Sequence, residues 1–111
     1  MNLEIKKKWI DALKSGEFKQ GRHRLRQKES EGSSYCCLGV LCELASREGV
    51  INPVNQQADG EYFYDNSRTY LPPKVCHWAQ ITSIEDTYEV ADINDRVNSF
   101  EEVIPFIEDN F

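Results

Sequence analysis

No apolar run in this 111-residue chain approaches the ~18–20 residues a membrane-crossing helix needs. Nor is there a basic excess: 13 Lys and Arg stand against 19 Asp and Glu, giving a net charge of −6 and a pI near 4.9. That balance argues against general nucleic-acid binding, which shows in a domain's overall charge. Six glycines and four prolines are too few for a linker or low-complexity protein. The spacings G-x-S-x-G, G-x-x-x-x-G-K, G-x-G-x-x-G and H-E-x-x-H do not occur, so the common catalytic and phosphate-cradling motifs are missing. The first residues, Met1-Asn2-Leu3-Glu4-Ile5-Lys6-Lys7-Lys8, have no apolar h-region and no small-residue cleavage site. A cytoplasmic setting is therefore expected.

What is present is an ordinary globular composition, 40% hydrophobic and 29% charged, of a length that fits one domain, residues 1–111. The chain is organised around Tyr35–Ala45, an apolar stretch holding one charge, Glu43, and three of the four cysteines. A segment with so few polar positions belongs inside, and it reads as a central buried helix. In a reducing compartment its cysteines act as small buried hydrophobes. Gly39 costs a helix ~1 kcal/mol relative to alanine, which points to a neighbouring element approaching too closely for a side chain.

Around this centre, Leu3–Lys14 reads as an amphipathic helix with Ile5, Trp9, Ala12 and Leu13 on one face, capped by Asn2. Residues 18–27 alternate, placing Phe18, Gln20, Arg22, Arg24 and Arg26 on one side, the pattern of an extended strand. Ser34-Tyr35 is expected to complete a hairpin with it. Residues 52–60 read as loop, and Glu61–Asp65 and Thr69–Leu71 as a second hairpin or two edge strands. A helix begins at Pro72 or Pro73. Thr82–Glu85 and Ser99–Glu102 have capping-box spacing. The second opens a final helix, with Pro105 inside it or near its start, and Tyr88–Val97 is open between helix and extended chain. The expected fold is α+β: a central helix, flanking N- and C-terminal helices and a small antiparallel sheet.

Four groups of side chains carry candidate chemistry. Cys36, Cys37 and Cys42 read C-C-x₄-C, with Cys76-His77 far downstream and His23 upstream, and on a helix Cys36 and Cys42 point about 240° apart, so no zinc site and no cofactor is expected. Cys76 or Cys42 with His23 or His77 would make a thiol enzyme only if the thiol were partly exposed in an electropositive setting. The Arg22, Arg24, Arg26 comb on a strand repeats every ~6.5–7 Å and suits phosphate or carboxylate oxygens. Gln20 extends that row, and Tyr35, Tyr62, Tyr64 or Trp78 are candidates to stack on a base. The bland alternative is that these arginines pair with the protein's own acidic end. Charge is indeed uneven: residues 1–28 balance to +6 and residues 83–111 to −8. Glu85, Asp86, Glu89, Asp92 and Asp95 accordingly form a candidate acidic face for a basic protein partner, in the manner of a nucleic-acid mimic.

The tract Tyr35-Cys36-Cys37-Leu38-Gly39-Val40-Leu41-Cys42 resembles the signature of a family of small, uncharacterised phage and prophage proteins. The opening Trp9-Ile10-x-Ala12-Leu13-x-Ser15-Gly16-x-Phe18-x-Gln20, the Leu71-Pro72-Pro73 to Trp78-Ala79 segment, and Ile93-Asn94-Asp95 with Ser99–Ile104 are similar in order and spacing. The resemblance implies one compact domain and a phage accessory protein working inside an infected bacterium, with no activity to carry over. In that context the arginine strand is expected to sequester a phosphate-bearing, nucleotide-like ligand used in host defence. A host-protein inhibitor using the acidic face is the alternative, and a thiol enzyme a further one.

Overall fold

Asn2 Oδ1 accepts the Ile5 N–H at 2.9 Å and starts helix α1, Leu3–Lys14, which buries Ile5, Trp9 and Leu13 along one stripe. The computed structural model describes all of residues 1–111. Trp9 is wholly buried, and its Nε1–H donates to the Cys37 carbonyl at 2.8 Å, tying α1 to α2, Cys37–Arg47. Helix α2 is the centre of the core, burying Cys37 to Cys42 and Ala45, while Glu43 and Arg47 turn outward. Gly39 lies against the Leu25 carbonyl, where a Cβ would collide with that oxygen.

The expected strand over 18–27 is interrupted. Its ends are β1, Lys19–Gln20, and β2, Arg26–Lys28, on either side of β3, Ser33–Tyr35. β1 runs parallel to β3 and β2 antiparallel to it, so the sheet is mixed rather than antiparallel. Between them the backbone bends, and His23 sits at φ 69°, left-handed. The reason lies in where its polar backbone groups go. Asn94 Nδ2 donates to the Gly21 carbonyl, Asp95 Oδ1 accepts the His23 N–H, and the Leu25 N–H donates to the Arg68 carbonyl. Contacts from elsewhere in the chain replace a sheet ladder.

The second small sheet pairs β4, Asn55–Gln56, with β5, Tyr62–Phe63, antiparallel. The expected loop thus contains a strand, and the partner of Tyr62–Phe63 is not Thr69–Leu71, which is irregular. Asp65 and Asn66 both have positive φ and close a tight turn between Tyr64 and Ser67. Helix α3, Pro73–Ala79, follows Pro72. Helix α4, Ile84–Arg96, starts one residue later than the Thr82–Glu85 spacing implies, capped by Ser83 Oγ accepting the Asp86 N–H at 3.2 Å, and runs through the stretch left open between helix and extended chain. The Ser99–Glu102 capping box opens a single 3₁₀ turn, Phe100–Glu102, and α5, Ile104–Asn110, carries Pro105 in its first turn, where proline fits. Trp9, Leu25, Leu38, Leu41, Val75, Val90, Val103 and Ile107 fill one core, and the fold is a single compact α+β domain. No helix is long and apolar enough to cross a membrane.

Candidate functional site

Bending of residues 21–25 disperses the arginine comb. Arg22 Nη2 donates to the Val97 carbonyl at 2.7 Å, and Gln20 Nε2 to the Asn94 and Val97 carbonyls at 3.0 and 3.3 Å, so both bind the end of α4. Arg24 turns back onto the His23 carbonyl and stands 3.8 Å from Glu61. Arg26 points elsewhere again: Nε donates to Ser33 Oγ at 2.9 Å, and the guanidinium lies over Tyr62 and Tyr35, 4.6 and 5.2 Å from their centroids. Tyr35 therefore does meet an arginine, as a packing partner. Trp78 does not join them; it lines a shallow groove with Val50, Pro73, Lys74 and His77.

Beneath Arg26 is a shared carboxylate. Glu43 Oε1 accepts from the Tyr64 hydroxyl at 2.8 Å and lies 3.9 Å from Arg26, while Oε2 accepts from Arg47 Nε at 3.2 Å. Arg47 also pairs with Glu17 and covers the Phe18 ring. Burial, and then the Glu43 carboxylate, push the Tyr64 hydroxyl far above its ordinary range. This network joins β2, α2 and the Tyr64 turn, and its members are one another's partners. The carboxylates nearest Arg24 and Arg26, Glu61 and Glu43, thus lie in the middle of the chain rather than at its acidic end.

The four cysteines are free thiols. Burial pushes Cys36 up to about 11 and lifts Cys37 and Cys42 well above their ordinary value; Cys76, half-buried, is raised by the same cause. A nucleophile needs the opposite shift. No three His, Cys, Asp or Glu side chains converge as a metal-binding group.

The outer face of α4 is different. Thr87, Val90 and Asn94 point inward, which leaves Ile84 and Tyr88, one turn apart, facing solvent. Tyr88 is 49% exposed and Ile84 44% exposed. Tyr70, 47% exposed, meets Tyr88 edge to face at 4.7 Å between centroids. Three of the four large hydrophobic residues that the surface exposes therefore sit together; the fourth is Leu3 on α1. Glu85, Glu89 and Asp92 stand exposed on the same helix, with Asp86 half-buried in its first turn.

Below the tyrosine pair is a pocket of about 110 Å³ that reaches Thr69, Cys36, Asp92, Asp95 and His23. Asp95 is fixed within it: Oδ1 accepts from the His23 N–H at 3.0 Å and from Asn94 Nδ2 at 3.2 Å, and Oδ2 stands 3.2 Å from His23 Nδ1. The acidic residues Asp92 and Asp95 are thus brought to one site with three residues that the charge pattern did not single out: His23, Tyr70 and Tyr88. The signal for Tyr88 was its spacing from Ile84, four residues apart and off the buried stripe. That signal is readable only once the segment is known to be helical.

A compact α+β domain with an acidic, aromatic helix face is the class these features define. The chain belongs to the family described as a domain of unknown function (DUF8296), whose model matches residues 1–110. No curated protein and no solved structure matches it.

Proposed function

We propose that this protein is a non-catalytic binding protein that engages a basic protein partner through the outer face of α4. The observation that carries the reading is the convergence of Tyr70, Tyr88 and Ile84 into one exposed patch beside Glu85, Glu89 and Asp92. Tyrosines are enriched where interfaces concentrate their energy, and exposed apolar patches rimmed by charge mark interaction sites. The sign of the rim selects the partner: basic residues gain, and a second copy of this acidic surface is repelled.

Resemblance to small phage and prophage proteins supports reading the partner as a host factor that the protein antagonises in a host cytoplasm. Sequestering a phosphate-bearing ligand through Arg22, Arg24 and Arg26 has less support, because each of these side chains already has an internal acceptor. Thiol catalysis has less still, because burial raises all four thiols.

Affinity capture from bacterial lysate tests the reading when wild type is compared with Tyr88→Ala and Glu89→Lys. A specific partner retained by wild type, released as salt is raised and lost by both variants is the expected result. Retention that neither variant nor salt changes would overturn it.

A further inference from the structure

We propose that the pocket beneath Tyr70 and Tyr88 receives an arginine side chain of the partner, its guanidinium held by the tyrosine rings and the carboxylates of Asp92 and Asp95. This inference rests on the reading of the α4 face given above and names the group that anchors it.

At about 110 Å³ the pocket far exceeds the roughly 10–15 Å³ that one water occupies. Its two carboxylates exclude anions. An apolar group would strip water from Asp92 and Asp95 without replacing the lost hydrogen bonds. A cation satisfies both carboxylates and gains from the tyrosine faces. Among protein cations the planar guanidinium fits best, because it forms paired hydrogen bonds with a carboxylate while its flat face stacks on an aromatic ring. Asp95 needs no reorganisation, since His23 and the buried Asn94 already fix its orientation. Asp92 already accepts a guanidinium, that of Arg96 one turn on, at 2.9 Å. That pair is exposed on both sides, and exposed pairs exchange readily. An incoming arginine replaces Arg96 at Asp92 from the pocket side.

The test is NMR titration of the full chain with acetyl-Gly-Arg-Gly-amide, and with the same peptide carrying lysine or citrulline, the neutral planar isostere of arginine. Saturable shifts of the Tyr70, Tyr88 and His23 resonances are expected with arginine, weaker ones with lysine, and none that saturate with citrulline. Asp92→Asn and Tyr88→Ala, both at exposed positions, should each weaken the arginine peptide by about tenfold, the loss of one charge-assisted contact. Equal binding of citrulline or lysine, shifts that avoid these three residues, or indifference to both substitutions would overturn the proposal. If the arginine peptide fails while partner capture still requires Tyr88, the pocket assignment falls and the docking face stands. If capture also ignores Tyr88→Ala, both fall.

Discussion

Asn94 Oδ1 accepts the Cys37 N–H at 3.1 Å, so the first amide of the central helix is held by a side chain from α4. Asn94 Nδ2 in turn donates to the Gly21 carbonyl at 2.9 Å and to Asp95 Oδ1 at 3.2 Å. One buried side chain thus fixes the start of α2, the bend at Gly21 and the orientation of the pocket carboxylate. Replacing Asn94 by alanine strands a buried N–H and a buried carbonyl, at a cost of about 3 kcal/mol. Urea denaturation measures it, and a loss below about 1 kcal/mol would mean that water replaces the amide.

Gly39→Ala separates two opposing effects. Helix propensity alone predicts a gain of ~1 kcal/mol. The Leu25 carbonyl occupies the space a methyl needs, and backbone cannot swing aside as a side-chain tip does. The collision dominates, and we expect a net loss of about 3 kcal/mol, at the upper end of overpacking costs. A variant as stable as wild type would show that α2 and Leu25 are not in register.

Arginines spaced alike in sequence should respond unequally to truncation. Arg26→Ala removes a part-buried hydrogen bond and contact with two tyrosine rings, and should cost about 2 kcal/mol. The Arg22 bond is exposed and the Arg24 contacts are local or long, so their alanine variants should stay within about 0.5–1 kcal/mol of wild type. Equal losses at all three would restore the continuous comb.

Alkaline pH should unfold this protein early. Unfolded, the thiols ionise near their ordinary value; folded, Cys36 stays protonated to about pH 11 and Cys37 and Cys42 beyond their normal range, all because of burial. The unfolded chain therefore binds fewer protons in that window, and stability present below about pH 8.5 is lost as pH rises toward 11. Each buried thiol contributes a slope of ~1.4 kcal/mol per pH unit. Urea midpoints between pH 8 and 10.5 should fall steeply, and less steeply in Cys36→Ala.

Local sequence signals account for the helices and not for the first sheet. Asn2, Ser83, Ser99 and Pro105 cap or start helices by chemistry contained within four residues, and the apolar run and Gly39 identify the core helix and its close neighbour. The alternation over residues 18–27 is equally local, yet Gly39, Arg68, Asn94 and Asp95 take over the backbone there from 14 to 73 positions away. No period within the segment carries that information. The same holds for the candidate site. Charge pattern alone singles out Glu85 to Asp95, but Tyr70 and His23 reach that face only through the packing of other segments onto α4.

Partner capture with paired variants tests the central claim most directly. Tyr88→Ala/Glu89→Lys alters only the α4 face, and Arg22→Ala/Arg24→Ala only exposed Arg22 and half-buried Arg24, so neither should disturb the core. The first pair is expected to lose the partner and the second to retain it at wild-type yield. Loss with the arginine pair and retention with the α4 pair would contradict that claim.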